Sequence, residues 1–353
     1  MKSTKQNLLI DVAQSGKNFR GMGLYSLDLM EALTDQFNVI CVVKRSKDVS
    51  DFLKKKRLRI KIVSINLPHI IIEQLIIPLL IIIFGAKRYV TAGDSSSFLG
   101  ARLSKATLLM HSIYFTRPFS FSEHSIKRIL GKIYRRYSIK LSINHCDNVI
   151  TVSNFTKNEI INYYKTVSNK ICVVPNVLKF QVERECDKQN RILFITGSDP
   201  QKNAKWAINT IIEQGWADEF EKIDVVGISS NKEISATHHP SVVYHGYVKN
   251  GQLEEFYRRA RIVVLPSLHE SFGVPIIEAL SKGCIICASD RGAFKEVGDD
   301  FCYYFDPQNK QTLSSVICKA FDHVDRWLPR KNYLQKFSKE SFKHLASIAI
   351  PNE

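Results

Sequence analysis

Two carboxylates, Glu270 and Glu278, flank the run Ser271-Phe272-Gly273-Val274-Pro275-Ile276-Ile277 in this 353-residue chain. The apolar run Ile262-Val263-Val264-Leu265 precedes them and stops at Pro266, which reads as a strand buried on both faces of a parallel sheet. Pro275 fits the first turn of a helix, where its missing N–H costs nothing. Residues 267 to 274 therefore form a strand-to-helix loop. Its Gly273 lets the main chain approach a ligand closely, and the N–H groups of the first helical turn face the same space. Such a helix end suits a phosphate group. Glu278, about one turn into the helix, and Glu270, on the strand side of the loop, add acceptors for sugar hydroxyls. The same residues also read as an ordinary turn followed by a helix-dipole partner. Spacing in this segment alone leaves both readings open.

The elements that must hold these residues follow from hydrophobic patterning. In the first half the runs Leu8 to Val12, Val39 to Val43, Ile60 to Ile65, Tyr89 to Ala92, Thr107 to Met110 and Val149 to Val152 are strand-like and separated by helix-like stretches. In the second half Ile192 to Thr196, Ile223 to Val226, Val242 to His245, Ile262 to Leu265 and Ile285 to Ala288 repeat the pattern. Such alternation predicts an α/β chain of two doubly wound, Rossmann-like domains. The boundary falls in the polar stretch between Pro175 and Asn190, giving domains 1–178 and 179–337. No repeat of 20 to 50 residues and no low-complexity tract is present.

The segment around the two glutamates resembles the signature of the retaining GT-B glycosyltransferases of family 4 (group 1), a family with many mannosyl- and other hexosyltransferases of cell-surface polysaccharide synthesis. It stands here as Pro266-Ser267-Leu268-His269-Glu270-Ser271-Phe272-Gly273, then Glu278-Ala279 and Gly283. Other blocks follow in the family's order across nearly the whole chain: Arg20-Gly21-Met22-Gly23-Leu24-Tyr25, Glu73-Gln74 with Pro78, His111 with Pro118, Thr151-Val152-Ser153, Val174-Pro175-Asn176, Lys202-Asn203 and Phe305-Asp306-Pro307.

The resemblance implies a GT-B fold whose two domains face a central cleft. The first domain would take the acceptor, joined by a C-terminal helix at 338–353, and the second would take the nucleotide sugar. It places Glu270 and His111 at the transferred sugar, Glu278 at the ribose, and Lys202 with the main chain of Ser271, Phe272, Gly273 and Val274 at the diphosphate. Gly23 admits the diphosphate, and His245, Gly246 and Tyr247, at another strand end, are candidates for bordering the base. Members of this fold are thought to react on one face of the sugar, the leaving diphosphate helping to deprotonate the incoming hydroxyl. One departure stands out: Ser198 occupies a place near Gly197 where the family often has Arg, leaving the diphosphate one cation fewer, with Arg20 or Arg291 as substitutes. The implied activity is hexose transfer from a nucleotide-diphosphate sugar, GDP-mannose narrowly ahead of UDP- and dTDP-sugars, to a lipid-linked or growing glycan in polysaccharide or O-antigen synthesis.

Composition agrees with a two-domain globular chain, at 44% apolar and 24% charged. Charge is one-sided. Residues 1–176 hold 27 Lys and Arg against 11 Asp and Glu, whereas 177–353 hold 23 of each. Dense basic spots lie at Lys44 to Lys47, Lys54 to Arg59 and Lys127 to Lys140. A basic first half gains up to about 1 kcal/mol per basic residue at an anionic membrane, so a peripheral position on the inner face of the plasma membrane and a phosphate-bearing lipid acceptor are expected; a solvated basic face is the simpler reading. The apolar run Ile70 to Phe84 is about 15 residues and carries Glu73, Gln74 and Pro78, short of the ~20 needed to span. The polar start Met1 to Gln6 reads as no signal peptide, hence a cytoplasmic protein.

Eight scattered cysteines, with Cys284-Ile285-Ile286-Cys287 inside an apolar run, read as core residues. No Asp-x-Asp is present, so no metal and no other cofactor is expected beyond the nucleotide-sugar co-substrate. A non-catalytic nucleotide-sugar or nucleic-acid binding protein is the alternative, although no nucleic-acid module is visible. A nicotinamide dehydrogenase is disfavoured because Gly21-Met22-Gly23 lacks the third glycine.

Overall fold

The computed structural model describes residues 5–13, 21–44, 59–93, 95–110, 126–166, 168–183, 186–322 and 328–352. The chain divides into two compact units, Met1–Val177 with Lys339–Glu353, and Leu178–Ser338.

The first unit is built on a seven-stranded sheet of order β3-β2-β1-β4-β5-β6-β7, all parallel. Its strands are β1 (Gln6–Asp11), β2 (Phe37–Lys44), β3 (Ile60–Ile65), β4 (Arg88–Thr91), β5 (Lys105–Leu109), β6 (Asn148–Thr151) and β7 (Ile171–Val173). Leu8, Leu9 and Ile10 of the central strand are fully buried, as a run covered on both faces requires. Strand order reverses between β1 and β4, which makes their C-terminal ends the switch point of this sheet. The motif Thr151-Val152-Ser153 carries β6 into the helix Asn154–Tyr164, because Ser153 leaves the strand in extended conformation and its hydroxyl accepts the Thr156 N–H at 3.1 Å.

The apolar run at 69–84 is one helix with a π turn at Ile72–Ile76 between α-helical ends. Ile72, Ile77, Leu80 and Ile81 face the core, while Leu75, Leu79, Ile82 and Ile83 are 51–66% exposed. No helix among the described residues is long and apolar enough to cross a membrane. The C-terminal helix Lys339–Ala349 belongs to this unit: the Phe342 ring meets the edge of Tyr25 at 5.4 Å, and Asn148 donates to the Ala349 carbonyl at 3.3 Å. This segment adds two Lys and two Glu, so the whole excess of 16 positive charges lies on the first unit.

The second unit holds six parallel strands in the order β10-β9-β8-β11-β12-β13. They are β8 (Gln189–Ile195), β9 (Lys222–Val226), β10 (Val242–Gly246), β11 (Ala260–Leu265), β12 (Ile285–Ser289) and β13 (Cys302–Phe305). Ile192, Phe194, Ile262, Val264 and Cys287 form one layer of its core with Ala207, Ile208 and Ile211 of the helix Ala204–Glu213. Segment 178–183 is tied in by main-chain bonds from Leu178 to Phe337 and from Glu183 to Ser281. Lys282, fully buried, donates to the Gln181 carbonyl at 2.9 Å and to Glu183 and Glu254 at 2.7 and 2.5 Å.

All eleven strand-like runs are strands. The edge strands β7 and β13, of three and four residues, were not anticipated, although Ile171-Cys172-Val173 and Cys302-Tyr303-Tyr304-Phe305 are short apolar runs of the same kind.

Candidate active site in the second unit

Strand β11 ends at Leu265, and the helix Val274–Ser281 begins after eight intervening residues with Pro275 in its first turn. The intervening loop is stitched on both sides. Ser289, at the end of β12, donates its hydroxyl to the Ser267 carbonyl at 2.6 Å, and the Leu268 N–H donates to the Gln201 carbonyl at 2.8 Å. That second bond brings in the 3-10 turn Pro200–Lys202, whose entry is capped by Asp199 accepting from Gln201 at 2.9 Å. Asn203 leaves the turn in the left-handed region (φ 52°) and donates to the Pro307 carbonyl at 3.0 Å, which anchors the Phe305-Asp306-Pro307 loop to the same place.

The result is a direct ion pair between two residues singled out from the sequence: Lys202 Nζ donates to Glu270 Oε2 at 2.7 Å. Both side chains are partly open to solvent, at 39% and 22%. A cation and a carboxylate therefore stand beside a helix N-terminus, an arrangement suited to a phosphate and an adjoining polyol.

Glu270 is held from behind by a residue that the sequence reading passed over. Gly292 (φ 66°) lies so close that an added Cβ meets the Glu270 carbonyl oxygen at 2.4 Å and its nitrogen at 2.6 Å, and the Ala293 N–H donates to the same carbonyl at 2.8 Å. The signal available in the sequence is a glycine three residues after a strand, facing the motif loop.

Gly273 has a different reason from the expected one. Its φ is 99°, and an added Cβ falls 2.7 Å from the Phe294 ring, so packing and backbone conformation both demand glycine there. Phe272 is buried against the Phe337 ring at 5.7 Å, leaving only its main chain for a ligand. Ser271 precedes it in the loop, and Val274 opens the helix.

Glu278 points to Tyr257, whose hydroxyl donates to Oε2 at 2.9 Å. Burial pushes its carboxyl up to about 7, against the opposing pull of that hydroxyl and of the Lys179 charge. A raised carboxyl favours the folded state fully below its ordinary 4.5 and loses that contribution as the pH climbs through about 7. Hydroxyl donors from a nucleotide ribose favour the ionised form, so nucleotide binding near pH 7 is expected to release protons from Glu278. Calorimetry in buffers of different ionisation enthalpy reads this directly. Release that persists unchanged in Glu278→Gln excludes Glu278 as its source.

Of the base-pocket candidates, His245 has an internal partner: its Nε2 lies 2.7 Å from Asp224 Oδ1, and its ring packs on Phe256 at 4.5 Å. Asp224 is buried and pairs with Arg191 at 3.4 Å as well. Gly246 (φ 62°) and the 70% exposed Tyr247 remain at the strand end. Arg291, one of the two suggested substitutes for an arginine near Gly197, pairs with Asp306 at 3.0 Å and Asp290 at 3.4 Å. Ser198 borders a cleft of about 610 Å³ with Trp206, Asn209 and Lys310, which neither Lys202, Glu270 nor Glu278 lines. In the first unit Gly23 is buried in the opening turn of the helix Met22–Leu33. His111, Pro118, Arg20 and Lys54 to Arg57 lie outside the described residues. Among the described residues no cluster of three or more His, Cys, Asp or Glu is placed to hold a metal.

Two parallel α/β units, one carrying a carboxylate–lysine pair at the loop after β11, have the GT-B architecture. Known families agree: residues 19–179 match the model described as Glycosyltransferase Family 4, and residues 189–323 the one described as Glycosyl transferases group 1. The chain belongs to this glycosyltransferase family and is a transferase. It is 26% identical to the O-antigen chain mannosyltransferase RfbU of Salmonella typhimurium, over 96% of this chain and 98% of that one. It is 25% identical to the O-antigen chain mannosyltransferase B of Escherichia coli, over 68% and 67%. Among solved structures, Anabaena Alr3699/HepE in complex with UDP and glucose superposes with a TM-score of 0.74 at 14% identity, covering 99% of this chain and all of that one. WaaG, a glycosyltransferase involved in lipopolysaccharide biosynthesis, does so at 0.67 and 11%, over 98% of this chain and all of that one.

Proposed function

We propose that the protein moves a hexose, mannose from GDP-mannose in the first instance, onto a lipid-linked or growing glycan in cell-surface polysaccharide or O-antigen synthesis, with retention of configuration and without a metal. The observation that carries this is the Lys202–Glu270 pair beside the helix N-terminus, on a chain that aligns end to end with an O-antigen mannosyltransferase.

In this reading Lys202 and the first-turn N–H groups of the helix Val274–Ser281 take the charge of the diphosphate as it departs. Glu270 orients the sugar hydroxyls and faces the positive charge that develops at the anomeric carbon. Glu278 takes the ribose, while Gly246 and Tyr247 border the base. The departing diphosphate draws the proton from the incoming hydroxyl on the same face of the sugar, and His111 and Gly23 complete the arrangement. Positioning and fixed charges supply the rate.

Thermal shift against GDP, UDP, dTDP, ADP and their sugars, without added metal, tests the donor. Stabilisation by the guanine compounds, lost in Lys202→Ala, is the expected result. A response confined to uridine or thymidine compounds replaces GDP-mannose, and no response to any of them removes the donor site from this loop.

The membrane reading draws on the first unit alone. Leu75, Leu79, Ile82 and Ile83 form an exposed apolar stripe on a helix of the unit that carries the whole positive excess. An interfacial helix of this kind on the inner face of the plasma membrane gains from both apolar burial and anionic lipid. Sedimentation with phosphatidylglycerol-containing vesicles is expected, weakened by Leu79→Glu with Ile83→Glu. Equal sedimentation with neutral vesicles, or none at all, removes the anionic membrane as a partner.

A further inference from the structure

The first unit contains a second group of ionisable side chains, which the donor chemistry leaves unused. Asp11 ends β1 at the switch point of the sheet, paired in register with Thr91 of β4. It is only 2% exposed. Its Oδ1 accepts the Ala13 N–H at 2.9 Å, whereas the buried Oδ2 has no hydrogen-bond partner among the described residues. An unsatisfied buried carboxylate oxygen is costly, and a ligand hydroxyl placed against it removes that cost.

The group facing Oδ2 is an imidazole. His69 Nε2 lies 3.9 Å from it, too far for a direct hydrogen bond. A sugar hydroxyl that reaches both donates its single proton to one and accepts from the other, the direction set by which of the two carries the proton. His69 is oriented from its far side, its Nδ1 standing 3.3 Å from Glu73 Oε2. Glu73 is 1% exposed and is itself fixed by the Ser95 hydroxyl at 3.1 Å and the Gln74 amide at 3.0 Å. The π turn Ile72–Ile76 includes Glu73, and such turns recur where a helix must aim a side chain at a site.

We propose that Asp11 Oδ2 and His69 Nε2 together hold a hydroxyl group of the sugar that accepts the transferred hexose, with Glu73 as the residue that positions His69. Open α/β sheets collect ligands at the carboxyl ends of strands where the order reverses, and Asp11 is at that place. Burial pushes the Asp11 carboxyl up to about 6, with the Ala13 N–H opposing. The assignment rests on the transferase reading for the identity of the ligand, not for the geometry of the site.

The test uses the full chain labelled with ¹⁵N-histidine, the His69 ring resonances being identified by their loss in His69→Gln. Methyl α-glycosides of mannose, rhamnose, glucose and galactose are titrated in turn. At least one is expected to move the His69 Nε2 resonance in the wild type and to bind about 10-fold or more weakly in Asp11→Asn. That variant keeps the Oδ1 bond to Ala13, and an unchanged nucleotide thermal shift shows that the protein is intact. If no glycoside moves His69, or if Asp11→Asn binds equally well, the cluster is an internal carboxylate–imidazole pair only. A glycoside response in a protein that no nucleotide stabilises overturns the donor proposal and leaves this one standing.

Discussion

Replacing Glu270 by Gln is expected to lower the rate of sugar transfer by about 10²-fold or more while leaving nucleotide binding close to that of the wild type. The substitution keeps the size of the side chain and one carbonyl acceptor, so it removes charge and little else. In the structure that charge lies 2.7 Å from Lys202 Nζ. In the proposed mechanism the two residues divide the work by sign, the carboxylate facing the sugar as it becomes positive and the ammonium facing the diphosphate as it becomes more negative. Lys202→Ala should therefore show the opposite profile, with weakened nucleotide binding as its first symptom. A rate measured with saturating donor, set against nucleotide-induced thermal shift, separates the two. Near-wild-type turnover in Glu270→Gln takes Glu270 out of the mechanism, and a parallel loss of nucleotide binding shows that the pair acts as a structural clamp.

Gly292→Ala should damage the same reaction from outside the motif. The added methyl carbon falls 2.4 Å from the Glu270 carbonyl oxygen, inside any permitted contact, at a backbone φ of 66° that alanine disfavours. Either the loop after β12 or the loop carrying Glu270 must move, and the local strain is about 1–3 kcal/mol. A catalytic group displaced by about 1 Å costs on the order of 10²-fold in rate. Because the atoms nearest an added Cβ at Gly292 are main-chain atoms of Glu270, a loss of turnover with little change in overall melting identifies it as a positioning residue. Wild-type turnover in the alanine variant means that the surroundings yield without moving Glu270.

These two predictions mark where sequence patterning carries and where it stops. The eleven anticipated strands were legible because each carries a run rich in apolar residues, a signal contained in the run itself. The edge strands β7 and β13 carry the same signal over only three and four residues, and their pairing with β6 and β12 extends the two sheets to their edges. The Glu270 loop was legible as chemistry, and Lys202 as a cation of the same kind, but their contact depends on a bond between Leu268 and Gln201 across 67 positions of chain. His245 was legible as a histidine at a strand end, and only the neighbouring strand shows its Asp224 partner. Gly292 and Tyr257 were invisible because their importance lies wholly in what they touch.

The C-terminal helix Lys339–Ala349 has a consequence for how the protein is made. It completes the first unit, yet it is separated from Val177 by the 161 residues of the second. A ribosome adding about 5–20 residues per second emits the intervening unit over roughly 8–30 s. Throughout that interval the unit that emerged first lacks the partner for its Tyr25 ring and the cover supplied by Phe342, Ala346 and Ala349. The earliest part of the chain to be synthesised is thus the last to be closed, and a nascent chain stalled before position 339 presents chaperones with a bare apolar seam on a nearly finished domain.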